Sequence, residues 1–163
     1  MRRVRFAIPP DCDQIAAIHV RSWQKAYRDI VPADFLANLS LERRLDWWRS
    51  HLDDQQTIVV EVDGEVAGFV RVGATEDPQW GEVRSIYLDP QHYRQGLGSV
   101  LLDAGQTRLR EMGFDQAFLW VFVDNHPSRS FYEARGWSAE PRVALMELGG
   151  RQLTEIRYSK ALV

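Results

Sequence analysis

The spacing of apolar residues divides the first third of the chain into a short extended segment followed by helical ones. Residues 4–8 alternate apolar and charged side chains, which predicts a strand, and the Pro-Pro-Asp at 9–11 ends it and supplies a helix N-cap. Apolar and aromatic side chains then recur every three or four residues, which predicts a helix over about 11–27. The same spacing continues over 32–52, although Asn-Leu-Ser at 38–40 could divide this stretch in two.

The periodicity changes at residue 57. Residues 57–62 and 65–72 are rich in β-branched side chains and flank an Asp-Gly pair, which predicts a β-hairpin. The later predicted elements are a strand at 82–88, a helix at 98–112, a strand at 116–123, a helix at 128–135 and a closing hairpin of 143–148 with 152–159. We therefore expect a single α+β domain over residues 1–163, with one mixed, mostly antiparallel sheet and helices on its faces.

Composition and charge exclude several classes of function. Asp plus Glu number 23 against 20 for Lys plus Arg, so the formal net charge is -3 and the chain lacks the basic field that nucleic acids or anionic membranes require. No apolar run approaches the length of a membrane span. The single cysteine, Cys12, excludes an internal disulfide, and the four histidines lack metal-ligand spacing. We expect a cytoplasmic protein with no metal, nucleic-acid partner or membrane partner.

The clearest candidate binding site is a glycine turn at residues 94–99, which follows a predicted strand and opens a predicted helix. Gly96 and Gly98 let backbone N–H groups approach a ligand closely, and the helix N-terminus adds a partial positive charge, so the turn suits a phosphate. An ordinary helix start would fit the same residues. The turn lacks the third glycine of a dinucleotide-binding fingerprint and the Gly-Lys-[Ser/Thr] of a P-loop, so neither of those sites is favoured.

A second block of motif residues follows the next predicted strand: Asn125, Ser128, Phe131, Tyr132, Gly136 and Trp137. With both blocks in this order, the chain resembles the GCN5-related N-acetyltransferase (GNAT) superfamily over most of its length. The resemblance implies about seven strands flanked by about four helices. It also implies that an amine attacks the thioester of acetyl-CoA directly, without a covalent enzyme intermediate. Tyr93 departs from the family pattern, which has Gln or Arg at that position.

The resemblance further implies which residues bind acetyl-CoA, the acetyl donor. Backbone amides of the glycine turn are expected to hold its pyrophosphate, and the strand before the turn to hold its pantetheine arm and thioester. The implied residues are Ile86, Tyr87, Leu88, Arg94, Gln95, Gly96, Leu97, Gly98, Ser99, Asn125 and Ser128.

Amine acetylation needs a base for the ammonium proton, a hydrogen-bond donor for the carbonyl oxygen and an acid for the leaving thiolate. We assign these roles to Glu82, to the backbone N–H of Leu88 and to Tyr132, in that order. Glu82 fits equally well as a solvated carboxylate at the start of a strand. Tyr132 fits equally well as a packed tyrosine whose hydroxyl is merely hydrogen-bonded.

The sequence gives less evidence for the acceptor site than for the donor site. Trp23 and Tyr27 fall on one face of the first predicted helix with His19, and such aromatic stripes most often belong to a core. In the resembled family the two N-terminal helices border the acceptor pocket. Trp23 and Tyr27, beside Asp29 or Asp34, could therefore receive a small cationic amine.

Three functions are compatible with these residues. The first is acetyl transfer to a small-molecule amine, the second is a CoA-binding module that senses acyl-CoA without turnover, and the third is acetylation of protein lysines or N-termini. Family members that acetylate ribosomal-protein N-termini have a strand glutamate where this chain has Trp120, which disfavours that substrate class. The closing hairpin offers an edge through which a homodimer could form.

Overall fold

Seven strands form one sheet in the computed structural model, which describes residues 1–52 and 55–163. The strands are β1 (Arg2–Phe6), β2 (Thr57–Val62), β3 (Glu65–Ala74), β4 (Trp80–Leu88), β5 (Gln116–Phe122), β6 (Ser138–Leu148) and β7 (Arg151–Ala161). The helices are α1 (Cys12–Ala26), α2 (Ala33–Ala37), α3 (Leu41–His51), α4 (Leu97–Glu111) and α5 (His126–Glu133). Within the described ranges, no helix is long and apolar enough to cross a bilayer.

The order of the strands is β1-β2-β3-β4-β5-β7-β6. β4 and β5 run parallel, and the other neighbouring pairs are antiparallel. α4 makes the crossover that a parallel pair requires. This architecture confirms the predicted fold class, an α+β domain on a mixed and mostly antiparallel sheet.

The predicted helical stretch over 32–52 is divided into α2 and α3. The side-chain amide of Asn38 donates to the Asp34 carbonyl at the end of α2, and the Ser40 hydroxyl accepts from the Arg43 N–H to cap α3. These local hydrogen bonds compete with a continuous helix. The described residues consequently contain five α-helices instead of about four, the additional one being the single turn of α2.

The bounds of β1 and β6 differ most from their predicted ones: β1 covers residues 2–6 instead of 4–8, and β6 begins five residues early. β1 ends at Phe6 because the N–H of Ile8 donates to the Asp11 carboxylate, which starts the 3-10 turn Pro9–Asp11. β6 begins at Ser138 instead of residue 143, and its register with β7 shifts between residues 139 and 143. That irregular part contains Pro141, which cannot donate to the ladder and therefore conceals the strand in the sequence.

Helices cover both faces of the sheet. On one face, Leu101 and Leu109 of α4 pack with Val70 of β3 in a large apolar cluster. On the other face, Trp48 of α3 packs with Phe69 of β3 and with residues of α1. Neighbouring residues of β3 thus serve opposite layers, and this explains why the strand reads as an almost continuous apolar run.

The sheet opens between β4 and β5. Residues 80–82 of β4 pair with residues 116–118 of β5, and the pairing ends there, although β4 continues to Leu88 and β5 to Phe122. A bulge on β4 coincides with the opening, since Ser85 and Val83 pair with consecutive residues of β3 and Arg84 between them is extra. Bulges bend a strand and increase its twist. The central strands therefore diverge and leave a cleft at the middle of the sheet.

A buried carboxylate anchors β1 to the start of α1. The Arg5 guanidinium donates to both oxygens of Asp11, at 2.7 and 2.9 Å, and also to Glu61 on β2. Burial by itself would raise the pKa of Asp11, but the hydrogen bonds from Arg5 and from the Ile8 N–H outweigh burial and lower it below the usual 3.8. Asp11 therefore favours the folded state most when it is ionised.

We expect Asp11→Asn to lower the free energy of unfolding at pH 7 by about 1.5–3 kcal/mol, the contribution of a hydrogen bond to a charged group. Because the folded-state pKa of Asp11 is depressed, its contribution is present above the unfolded-state pKa and is lost as the pH falls through the folded-state value. Urea unfolding at pH 7 and pH 3 measures both effects, with the exposed Asp29→Asn as control. An Asp11→Asn deficit of the same size at pH 3 would contradict this account.

Candidate active site

A cavity of about 680 Å³ occupies the opening between β4 and β5. It is bordered by both strands, by the last turn of α1, by the start of α4 and by α5. Glu82 and Tyr132, which lie 50 positions apart in the sequence, both line this space, and so do Ile86, Tyr87 and Leu88. We call it the central cavity.

The free edge of β4 faces the central cavity. Directly after β4, the Asp89 backbone N–H donates to the Ala67 carbonyl of β3 at 2.8 Å. Successive residues of a strand turn their N–H and C=O groups to opposite edges, so the backbone of Tyr87 also faces β3, whereas Ile86 and Leu88 present theirs to the cleft. Ile86 and Leu88 can therefore offer backbone hydrogen bonds to a ligand. Tyr87 contributes its side chain to the cavity wall instead.

The glycine turn forms the start of α4. Gly96 is the N-cap residue, with a left-handed φ of 79°, and Arg94 before it also has a positive φ of 61°. No side chain caps this end of the helix in the described structure. The N–H groups of Leu97, Gly98 and Ser99 have no acceptor within the helix, and the helix dipole adds to their positive potential. This end of α4 is suited to an anion.

The glycine turn packs against α5. A Cβ on Gly98 would lie 3.2 Å from the Phe131 ring, so only glycine allows this approach without displacing the ring. Arg135 stacks on the same Phe131 ring, with its guanidinium 3.9 Å from the ring centroid. The Nε of Arg135 donates to the Ser99 hydroxyl at 2.7 Å. Sequence reasoning missed Arg135, because only the tertiary packing brings its cation to the glycine turn.

Ion pairs and hydrogen bonds hold the segment before the glycine turn in place. Asp89 accepts from the Arg21 guanidinium of α1 and from the Gln91 N–H. Burial would raise the pKa of Asp89, but these hydrogen bonds outweigh it and lower the pKa. Arg2 of β1 donates to the Gln95 carbonyl at 2.7 Å. The turn is thus fixed to both α1 and the edge of the sheet.

Asn125 and Ser128 of the second motif block fix the start of α5. The Asn125 side-chain oxygen accepts from the Ser128 N–H at 3.3 Å and caps the helix, and both residues line the central cavity. The cap orients the helix that carries Tyr132. Asn125 therefore both caps α5 and lines the cavity that is the candidate ligand site.

Tyr132 is buried, with 8% of its surface exposed. Its ring lies against the rings of Phe131, Trp137 and Tyr158. Burial and the nearby Tyr87 raise the pKa of Tyr132, so its hydroxyl stays protonated across the ordinary pH range. Within residues 1–52 and 55–163 that hydroxyl has no hydrogen-bond partner, which leaves it available to a ligand in the cavity.

Two carboxylates border the central cavity. Burial raises the pKa of Glu82, and the opposing influence of Arg84, 3.8 Å away, and of other arginines offsets only part of this effect. Glu155 of β7 pairs with Phe122 of β5, and its pKa is also raised, first by burial and then by the charge of Glu82. Sequence reasoning missed Glu155. The alternation of β7 predicts which face it occupies, but not that β7 pairs with β5.

Aromatic side chains form another part of the cavity wall. Trp23 and Tyr27 line the central cavity, their ring centroids 5.0 Å apart, and the Tyr27 hydroxyl is 3.2 Å from that of Tyr87. Asp29, predicted beside them, is exposed and is not one of the lining residues, because the loop after α1 turns it toward solvent. Within the central cavity, the carboxylates that accompany these aromatic side chains are Glu82 and Glu155. Asp34, the other predicted carboxylate, lines a neighbouring cavity that Trp23 also borders.

His19, on the same helical stripe, belongs to the core. Its Nδ1 accepts from the Trp48 indole at 3.2 Å, and its ring stacks on Tyr87 at 5.1 Å. Burial, with a further contribution from the Arg44 charge, lowers the pKa of His19 to about 3, so the imidazole is neutral. In the described part of the chain, no group of His, Cys, Asp and Glu side chains could hold a metal ion.

Solved structures share this fold. PaiA N-acetyltransferase from Thermoplasma acidophilum, in complex with coenzyme A, superposes with a TM-score of 0.77 at 20% identity and covers 99% of each chain. YncA from Salmonella typhimurium, a putative acetyltransferase with acetyl-CoA, superposes with a TM-score of 0.75 at 21% identity, covering 100% of this chain and 95% of YncA. At these identities the likeness concerns the fold.

Sequence comparison identifies the family. YuaI of Bacillus subtilis (strain 168), named an uncharacterized N-acetyltransferase, is 36% identical over 161 residues, which cover 96% of this chain and 91% of YuaI. Phosphinothricin N-acetyltransferase of Streptomyces viridochromogenes is 32% identical over 85 residues, which cover 50% of this chain and 46% of that protein. The sequence model of the acetyltransferase (GNAT) family matches residues 13–137. Since that match spans most of the chain, the protein belongs to the GNAT acetyltransferase family.

Proposed function

We propose that the protein transfers the acetyl group of acetyl-CoA to the primary amine of a small molecule. One observation carries the proposal: the open edge of β4, the glycine turn and the side chains of Glu82 and Tyr132 all border the central cavity. Its volume of about 680 Å³ lies within the range of small-ligand pockets, and its aromatic and polar lining is typical of them. These features support a small acceptor over a protein one.

The chemical groups of acetyl-CoA match those that border the cleft between β4 and β5. A pyrophosphate matches the free N–H groups at the start of α4, and the extended pantetheine arm carries amides that can pair with the free edge of β4 as a missing strand would. The family to which the chain belongs and the CoA complexes of its structural neighbours support this assignment.

The chain's own groups can meet each chemical requirement of the reaction. Glu82, directly or through water, takes a proton from the acceptor ammonium, so that the nitrogen lone pair can attack the thioester carbon. A cleft-facing backbone N–H of β4 donates to the carbonyl oxygen, where negative charge develops. As the C–N bond forms and the C–S bond breaks, the Tyr132 hydroxyl gives its proton to the departing sulfur. The attacking nitrogen must lose a second proton to become an amide, and this proton restores the Tyr132 hydroxyl, directly or through water.

Strand geometry favours Ile86 over Leu88 as the donor to the carbonyl oxygen. Because Arg84 is an extra residue in a bulge, the partner strand β3 gives the better measure: Ile86 lies three residue steps from Glu82, about 10 Å, and Leu88 five steps, about 17 Å. An acceptor nitrogen beside Ile86 is therefore closer to the Glu82 carboxylate, which a bridging water can connect to it, than a nitrogen beside Leu88 would be. Leu88, which the sequence suggested for this role, is better placed to bind the pantetheine arm nearer the glycine turn.

Replacement of Gly98 tests the donor site. We expect Gly98→Val to weaken coenzyme A binding by at least about 10-fold, because the new Cβ would lie 3.2 Å from Phe131 and the added methyl groups would project toward the start of α4. Isothermal titration calorimetry measures the affinity, and Gly98→Ala should give a smaller loss. A folded Gly98→Val variant that binds coenzyme A as tightly as the wild type would contradict the proposed phosphate site.

Replacement of Glu82 tests the base. With a confirmed acceptor, we expect Glu82→Gln to lower kcat by about 100-fold or more, as the loss of a general base does. Since burial raises the pKa of Glu82, the acid limb of the wild-type kcat profile should have its midpoint above 4.5, and Glu82→Gln should abolish that limb. The exposed Glu65→Gln serves as the control. Retention of the acid limb in Glu82→Gln would point to a different base, with Glu155 as the next candidate.

Replacement of Tyr132 tests the acid. Tyr132→Phe keeps the packed ring and removes only the hydroxyl, so kcat should fall by about 100-fold with little change in stability. Because the pKa of Tyr132 is raised, the loss should be uniform from pH 6 to pH 9. Tyr93→Phe, in the same cavity, is the matched control. Unchanged turnover and pH profile in Tyr132→Phe would exclude it as the acid.

The same assay separates this proposal from a CoA-binding sensor. An acetyltransferase releases free thiol from acetyl-CoA in the presence of an amine panel, whereas a sensor binds acetyl-CoA without releasing thiol. Mass spectrometry of a treated lysate then distinguishes acetylated metabolites from acetylated proteins.

A further inference from the structure

A second cavity, of about 610 Å³, lies beside the central one. It is formed by α1, by the α2–α3 region and by the β6–β7 turn, and its polar and aromatic lining includes His19, Trp23, Asp34, Arg43, Arg44 and Trp47. Trp23 lines both cavities and stands between them. A ligand that passes this indole could occupy both spaces at once.

Arg44 is the unusual residue of the second cavity. It is partly buried, and burial lowers its pKa, an effect that the nearby Tyr87 offsets only in part. Across residues 1–52 and 55–163, the Arg44 side chain has no hydrogen bond and no carboxylate within ion-pairing distance. Other arginines with restricted exposure do have such partners: Arg5 pairs with Asp11, and Arg157 pairs with Glu140. A desolvated guanidinium without an anion is costly, and its planar donors match a carboxylate.

Arg44 lies near His19 and Tyr87, two side chains that pack against each other beside the central cavity. Its charge lowers the pKa of His19 and opposes the rise in the pKa of Tyr87, whose side chain lines the central cavity. Arg44 is therefore close to the part of β4 from which Ile86 and Leu88 face the cleft. An anion bound by Arg44 would therefore lie in the space that adjoins the central cavity at Trp23.

The charges of the two cavities are complementary to a zwitterion. The second cavity is lined by Arg43 and Arg44 against Asp34, which gives it an excess of positive charge. The central cavity contains the carboxylates Glu82 and Glu155, which suit an ammonium group. The indole N–H of Trp23 lies near the Tyr87 hydroxyl and opposes the rise in the pKa of Tyr87. In the described structure this buried N–H makes no hydrogen bond of ordinary geometry. It offers a second donor between the cavities.

We propose that the acceptor is an amine that also carries a carboxylate, as an amino acid does, and that Arg44 binds this carboxylate in the second cavity while the amine enters the central one. This inference rests on the proposed acetyltransferase function and specifies its substrate class. Arg44 is then a specificity-determining residue, since it contacts the acceptor away from the reacting atoms.

The test uses pairs of acceptors that differ only in the carboxylate: methionine with 3-(methylthio)propylamine, phenylalanine with phenethylamine, and leucine with isopentylamine. Thiol release from acetyl-CoA gives kcat/KM for each compound with the wild type, with Arg44→Met and with Arg49→Met. Arg49 is on the same helix and exposed, so its replacement removes an equal charge at a distance from the cavity. Arg44→Lys, which keeps the charge but not the planar donors, serves as a second variant should Arg44→Met fold poorly.

We expect the wild type to prefer the carboxylate-bearing member of at least one pair. Arg44→Met should lower kcat/KM for that member by about 10- to 100-fold and change its decarboxylated partner by less than about 3-fold, while Arg49→Met changes neither. Arg44→Lys should give an intermediate loss for the carboxylate-bearing member alone.

An equal loss for both members of a pair, or a wild-type preference for every decarboxylated amine, would overturn the inference and leave the proposed function intact. Absence of thiol release with every amine, while acetyl-CoA still binds, would instead overturn the proposed function, and the acceptor assignment with it.

Discussion

The early end of pairing between β4 and β5 is the constraint on which the rest of the site depends. Parallel hydrogen bonding covers only residues 80–82 and 116–118, after which a bulge at Arg84 turns β4 away from its neighbour. A sheet that stayed paired would use the N–H and C=O groups of Ile86 and Leu88 internally. Because the strands diverge, these groups face a cavity, and α4, α5 and α1 close around the opening.

Electrostatics divides this cavity into regions with different chemistry. The start of α4 supplies positive potential without a basic protein, which explains how a chain of net charge -3 can hold a phosphate. Farther along the cleft, burial raises the pKa of Glu82 toward the range useful for a base and keeps Tyr132 protonated. Burial therefore shifts the pKa of each of these two side chains in the direction that its proposed task requires.

The sequence predicted those features that depend on local chemistry. The Asp-Gly hairpin, the glycine turn and the motif block that begins at Asn125 each rest on residues close in the chain, and the family resemblance built on the turn and the motif block is confirmed. Contacts that depend on strand pairing or helix packing could not be predicted from the sequence. Glu155 lines the cavity only because β7 pairs with β5, and Arg135 contacts the glycine turn only because α5 packs against α4. Asp29 lies outside the lining of the central cavity, and helical spacing gave no information about the loop that follows α1. A cytoplasmic location and a homodimer stay predictions.

The central claim is that β4 offers free backbone N–H groups to the acetyl donor. Residue-resolved amide hydrogen exchange by NMR, with and without acetyl-CoA, tests it most directly. The account predicts that the amides of Ile86 and Leu88 exchange rapidly in the free protein and become protected with acetyl-CoA, whereas the Tyr87 amide, bonded to β3, is protected in both states. Saturation with acetyl-CoA that leaves Ile86 and Leu88 exchanging as before would contradict it.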